Sequence, residues 1–215
     1  MKAKIIGVGG QLGSGKDALS DHLQERLNLL KGPPKWTRGA FALGVKKVFC
    51  DNFDKTYEFV EEWKRRDEIP PGLSMTVRKS LQWIGDGFRQ IRPTIWMDLA
   101  LRGDDPKIIS DVRYINEMER IHFDGGINAL IWRLGNENND PHPSEAELAA
   151  IIRWYRDTGM EGRVLPSWQE NQPPMPPGAN RVHFFLRNEA GLDEFKEKID
   201  KMLLPFVLSY FYAEQ

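Results

Sequence analysis

The stretch GVGGQLGSGKDALS, Gly7 to Ser20, decides the fold. An apolar run, AKIIGV, leads into it, and Leu19, Leu23, Leu27 and Leu30 follow at helical spacing. Strand, glycine loop and helix, the last from Lys16 to about Leu30, therefore come in the order that a phosphate site needs. Gly10, Gly15 and Lys16 fill the fixed places of G-x-x-x-x-G-K, with Gly13 and Ser14 between them. Glycine is required because successive backbone N–H groups must turn toward phosphate oxygens, and the helix start adds partial positive charge. Lys16 would bridge the β- and γ-phosphates.

Asp17 stands where a Ser or Thr hydroxyl is usual. A carboxylate is a harder, charged ligand for Mg²⁺, so the site survives the change and its nucleotide affinity becomes tied to the metal. Gly13, Gly15 and Ala18 also match the dinucleotide pattern G-x-G-x-x-A. That pattern wants an acidic residue about 20 positions on, and KWTRGAFAL offers none.

Outward from the loop, AKIIGV, GAFAL, KIISDV, ALIWRL and VHFFLR read as strands alternating with helical periods. The expected class is α/β: a central parallel sheet of about five strands covered by helices on both faces. Residues 57–101 read as helical, broken at IPPGLS and RPTIW. SEAELAAIIRWYRD opens with Ser144 and Glu147 at capping-box spacing and places Leu148, Ile151, Ile152 and Tyr155 on one face. PSWQENQPPMPPGA, residues 166–179, holds too many prolines for a helix or inner strand and reads as a loop.

At 215 residues, 40% apolar and 28% charged, the composition suits one soluble domain. A net charge of -1 gives no general attraction to nucleic acid or to anionic membrane. Cys50, the single cysteine, excludes an intrachain disulfide and a cysteine-based zinc cluster. No apolar run suits a signal peptide or a membrane span, so the expected location is the cytoplasm.

These residues resemble the phage-type deoxynucleoside monophosphate kinases, a branch of the P-loop nucleoside monophosphate kinases, whose loop often runs G-S-G-K-D as Gly13 to Asp17 do. FALGVK resembles the segment after the family's second strand, with Lys46 at its lysine and Gly44 where a proline is usual. VRKSLQWIGDGFRQIRPTIW supplies Arg78, Leu81, Gln82, Gly85, Arg89 and Trp96, with Arg89 and Arg92 competing for one role. IISDVRYINEME supplies Asp111, Arg113 and Glu117. ALIWRLGNENNDPHPSE supplies Arg133, Asp140, His142, Ser144 and Glu145, and Asn188 opens the closing segment. Ala18 replaces a threonine common after G-K-D, and residues 148–179 are longer than the family requires.

The resemblance implies a P-loop kinase fold with ATP as donor and Mg²⁺ held by Asp17 and Asp111. Lys16, Asp111 and Arg113 would be catalytic, and Gly10, Gly13, Ser14, Gly15, Lys16, Asp17 and Ala18 would hold the nucleotide. Lys46, Arg78, Gln82, Arg89, Trp96 and Glu117 would bind the acceptor, while Arg153 and Arg156 are candidates for a basic lid in an insert over 148–179. Expected partners are small-molecule nucleotides, with a homodimer left open; a phage-encoded chain would work in the host cytoplasm. Two alternatives stand beside transfer to a deoxynucleoside monophosphate. One is an alcohol acceptor, such as a hydroxymethylated base in DNA or a small metabolite, with Asp17 or Asp111 as base; the other is a module that binds ATP without turnover.

Overall fold

Every position of β1 (Ile5–Gly10) is buried, the signature of a parallel strand covered on both faces. The computed structural model describes residues 4–30, 35–135, 143–164 and 173–213, without the side chains of 143–145. Within them the chain divides into two compact units, one of residues 1–39 and 103–215 and one of residues 40–102.

The first unit is built on six strands in the order β2-β3-β1-β4-β6-β5. β1, β2 (Thr37–Gly39), β3 (Lys107–Val112), β4 (Ile127–Arg133) and β6 (Phe184–Asn188) run parallel. β5 (Gly162–Arg163) pairs antiparallel with β6. Ile6 of β1 lies opposite Ile108 of β3 and Ile127 of β4, so branched side chains stack across the sheet centre.

One face is covered by α1 (Lys16–Asn28), α8 (Leu192–Lys198) and α9 (Leu204–Tyr212). Leu19, Leu23 and Leu27 of α1 bury against Ile6, Val8, Ile131 and Phe195. Each such leucine contributes roughly 1.5–3 kcal/mol by leaving water. Leu30, the fourth leucine of the expected stripe, lies beyond the end of α1 and is exposed. Between α8 and α9, Ile199–Leu203 forms a π turn ahead of Pro205, whose missing N–H cannot extend the regular ladder. Asp200 in that turn accepts from His22 Nε2 at 3.0 Å and pairs with Arg26 Nε at 3.1 Å, fastening α1 to the C-terminal helices.

The other face carries α6 (Ile115–Phe123) and α7 (Pro143–Asp157). Leu148, Ile151, Ile152 and Tyr155 are buried as the helical period requires. The Tyr155 ring stacks on Phe185 at 5.2 Å and its hydroxyl donates to Ala179 O at 2.8 Å. Burial pushes that hydroxyl's pKa above the usual phenol range.

The second unit holds α2 (Ala42–Phe53), α3 (Tyr57–Trp63), α4 (Val77–Ile91) and α5 (Ile95–Ala100). Thr56 and Thr76 cap α3 and α4, their hydroxyls accepting from Phe59 N at 3.2 Å and Lys79 N at 3.3 Å. Phe49, Cys50, Val60 and Val77 form its core.

One sequence expectation changes. GAFAL is not a strand: β2 ends at Gly39 and Ala42 already begins α2. The three residues of β2 are held at the sheet edge by backbone pairing to β3, which leaves no apolar pattern to read. Glu147 accepts from Ile115 N at 2.9 Å, and the Ser144 side chain, its expected capping partner, lies outside the described residues. Asp140, His142 and 166–172 of the proline-rich loop also lie outside them. Among the described residues no helix is long and apolar enough to cross a membrane.

Candidate active site

At the carboxyl end of β1 the chain turns through Gln11–Gly15 into α1, with Ser14 N donating to Gln11 O at 3.1 Å. Gly10 and Gly15 have φ of 155° and 104°, where a side chain is strained. Space forbids one as well: a Cβ on Gly10 would come within 2.7 Å of Ile131 O, and on Gly15 within 2.7 Å of Asn188 Nδ2. Because the N-cap is Gly15, no side-chain oxygen at that position competes for the first-turn N–H groups of α1. Lys16 bends back over the loop, its Nζ 2.6 Å from Gly10 O and 2.7 Å from Gln11 O.

The loop is braced by side chains from two other strands. Asn188, at the end of β6, donates from Nδ2 to Ser14 O at 2.9 Å. Arg133, at the end of β4, donates from Nη1 to Gly13 O at 3.3 Å. Ser14 is 1% exposed, and its hydroxyl has no hydrogen-bond partner among the described residues. Ala18 is half-buried in the first turn, whereas the Asp17 side chain is 87% exposed.

Asp111 is half-buried one residue before Val112, which lies opposite Gly9, so the end of β3 adjoins the strand that leads into the loop. Arg113 follows in the turn to α6. Glu117 is 3% exposed, and its Oε2 accepts from Arg113 N at 2.8 Å and Tyr114 N at 3.1 Å. With Glu147 on Ile115 N, carboxylates take the N–H groups of three successive residues at this helix start. Part of the Glu117 carboxylate thus orders the turn that carries Arg113.

Of the two lid candidates, Arg153 is exposed, while Arg156 is half-buried and pairs through Nε with Asp157 Oδ1 at 2.7 Å. The helix that carries them is seated on the sheet by its other side.

In the second unit Arg78, Gln82, Gly85 and Arg89 recur at intervals of four, three and four along α4, which places them on one stripe. Arg78 is exposed; Arg89 lies back toward Asp86, Nη1 to Oδ1 3.3 Å. Arg92, the C-cap of α4, pairs with Asp98 at 2.6 Å. Lys46 donates to Glu61 Oε1 at 2.6 Å, and Lys64 also pairs with Glu61. Burial raises the Glu61 pKa, but the bonds from Lys46 and Lys64 outweigh it and bring the carboxyl down to about 2. Trp96 is 2% exposed, with Nε1 on Gly85 O at 3.0 Å. Its ring lies 2.7 Å from where a Cβ on Gly44 would sit, which accounts for glycine at that position.

No protein-family model matches the chain. A protein of Acanthamoeba polyphaga mimivirus named "Putative deoxynucleotide monophosphate kinase" is 30% identical over 167 residues, covering 68% of this chain and 83% of that protein. The chain belongs to the deoxynucleotide monophosphate kinase family. Among solved structures, a Thermus thermophilus protein aligns with TM-score 0.44 and 14% identity over 98% of this chain and 99% of its own. A Janibacter sugar kinase aligns with TM-score 0.36 and 11% identity over 95% and 98%. Membership of a kinase family makes the chain a phosphotransferase.

One charged group beside this family member's loop escapes a linear reading. Arg38 of β2 pairs through Nη2 with Asp17 Oδ1 at 3.1 Å and through Nη1 with Asp21. The three residues span 21 positions of sequence, and only the β2–β3 pairing at the sheet edge fixes where Arg38 lies. Asn188 and Arg133 have a visible signal, a polar residue closing an apolar strand run, but nothing local says that they brace this loop.

Proposed function

We propose that the chain is a phage-type P-loop kinase that transfers the γ-phosphate of ATP to a deoxynucleoside monophosphate in the presence of Mg²⁺, giving the diphosphate and ADP. The observation that carries this reading is the start of α1: a glycine cradle, an N-cap without a side chain and a lysine bent over it. Such a helix start attracts anions through its first-turn N–H groups and the helix dipole. The two crowded glycines fit a backbone that must approach phosphate closely, and the buried Ser14 hydroxyl has a hydrogen bond to give.

For Mg²⁺ the fit lies in donor chemistry. Asp17 and Asp111 offer hard carboxylate oxygens, and Mg²⁺ is commonly held by one or two of these with phosphate and water completing its shell. When bound, it supplies neutralisation of the triphosphate charge. Lys16 exchanges the carbonyls of Gly10 and Gln11 for phosphate oxygens, with a short movement of an ammonium already over the loop. Arg113 adds positive charge at the neighbouring strand end, its turn held by Glu117.

Arg78, Gln82 and Arg89 are the groups we assign to the acceptor phosphate, which a guanidinium can grip through two oxygens. Lys46 joins them as a further cation once it leaves Glu61. Arg153 and Arg156, on α7, are proposed to screen the transferring phosphate from water. No general base is required, because the acceptor phosphate, with a second pKa near ~6, is already mostly dianionic at pH 7.

The test is ADP release from ATP and Mg²⁺ with each of the four deoxynucleoside monophosphates and each ribonucleotide in turn. Turnover with a deoxynucleotide, lost in Lys16→Ala and weakened in kcat/KM for the acceptor in Arg78→Ala, is the expected result. ATP binding without turnover on any monophosphate would refute it.

A further inference from the structure

Arg38 holds the one carboxylate that departs from the usual loop pattern. Its guanidinium is 25% exposed and spans Asp17 and Asp21, which sit one turn apart on α1 with side chains 87% and 70% exposed. Two carboxylates at this spacing repel each other, and the cation between them removes that repulsion. Yet Asp17 is also the carboxylate that the nucleotide reading assigns to the metal.

We infer that Arg38 and the divalent cation compete for Asp17, so that the metal gains this carboxylate only as Arg38 lets it go. The inference rests on the nucleotide reading of the loop. Asp21 makes the exchange reversible: it keeps Arg38 within one helical turn while Asp17 is engaged elsewhere. Arg38 is thus a positioning residue, withholding the Asp17 oxygen from bare metal and giving it up when phosphate oxygens add their own attraction. The nucleotide-free loop accordingly takes up metal poorly, and the ion arrives with the triphosphate.

Mn²⁺ binding to the nucleotide-free chain, read from the loss of the free-ion signal in electron paramagnetic resonance, tests this without turnover. An exposed pair is worth up to about a factor of five in an equilibrium constant. Arg38→Gln should therefore bind Mn²⁺ up to about fivefold more tightly than wild type, and Asp21→Asn, which leaves Arg38 to Asp17 alone, more weakly. Adding Asp17→Asn to Arg38→Gln should abolish the gain.

Unchanged or weaker Mn²⁺ binding in Arg38→Gln, or a gain that persists without Asp17, would overturn the exchange. Should Arg38→Gln fold poorly, the loss expected in Asp21→Asn carries the test, and an unchanged affinity there overturns the exchange equally. ADP binding with Mg²⁺ present, measured in parallel on the wild-type chain, reports on the nucleotide reading by itself. Its absence refutes that reading, whereas unchanged Mn²⁺ affinity with ADP binding intact refutes only the exchange.

Discussion

Replacing Gly15 with alanine should cost about 2–5 kcal/mol of stability, in two separable parts. At φ 104° a side chain meets its own backbone, a penalty of roughly 1–2 kcal/mol for the left-handed region. The new Cβ would also stand 2.7 Å from Asn188 Nδ2, which must withdraw and abandon Ser14 O, a loss of about 1–3 kcal/mol for a buried carbonyl. Asn188→Ala alone should cost about 1–3 kcal/mol through that same bond. The double variant gives up the bond once and makes room for the methyl group, so it should fall short of the sum by at least ~1 kcal/mol. Urea unfolding followed by circular dichroism on the four proteins completes the cycle. Additive costs would refute the coupling of Gly15 to Asn188, and a Gly15→Ala cost below about 1 kcal/mol would refute the strain as well.

His183 supplies a pH prediction. Burial, and next the charge of His122, bring its pKa down to about 4, while its Nδ1 accepts from Asn128 N at 3.0 Å. The unfolded chain takes up this proton below about pH 6.5 and the folded one only below about 4, so the contribution is whole above 6.5 and lost as pH falls to 4. Up to about 3 kcal/mol is at stake, and the stability gap between wild type and His183→Leu in urea should narrow from pH 7 to pH 4; a constant gap counts against the assignment. Gly44→Ala should destabilise the second unit by about 1–3 kcal/mol by driving a methyl group into the Trp96 ring, measurable as a lower urea midpoint, and a neutral substitution would mean that the ring is not fixed there. In Lys46→Met, the Glu61 carboxyl loses one of two ammonium partners and its pKa should rise from about 2, a shift readable by carbon-detected nuclear magnetic resonance; no rise would show Lys64 sufficient alone.

What was legible in the sequence was local. The loop could be read because Gly10, Gly15 and Lys16 act through backbone turns and a helix start only six residues apart, and α1 because its leucines repeat at the helical period. α2 was missed: ALGVKKVFCDNF carries a glycine and β-branched valines, and Phe41 at its N-cap offers no capping side chain. Its glycine reflects the Trp96 ring, 52 positions later in the chain and absent from any local pattern. Arg38 was passed over for the same reason, since an edge strand of three residues leaves no periodicity to mark which side chain lies beside Asp17. Trp96 and Lys46 were named from resemblance, and the structure adds partners for both, Gly85 O and Glu61.

Two of the helices that begin at the carboxyl edge of the sheet, α6 and α1, hold negative charge in different ways. α6 brings its own: Glu117 from its first turn and Glu147 lent by α7 fill its start with two carboxylates. α1 begins with glycine, and its own first-turn carboxylate, Asp17, is turned out to Arg38. A free phosphate would find the first N–H groups of α6 already taken by carboxylates, and at α1 a cap without a side chain. The selectivity is written in what α6 already contains, and Glu117→Gln together with Glu147→Gln would strip away the charge that guards it.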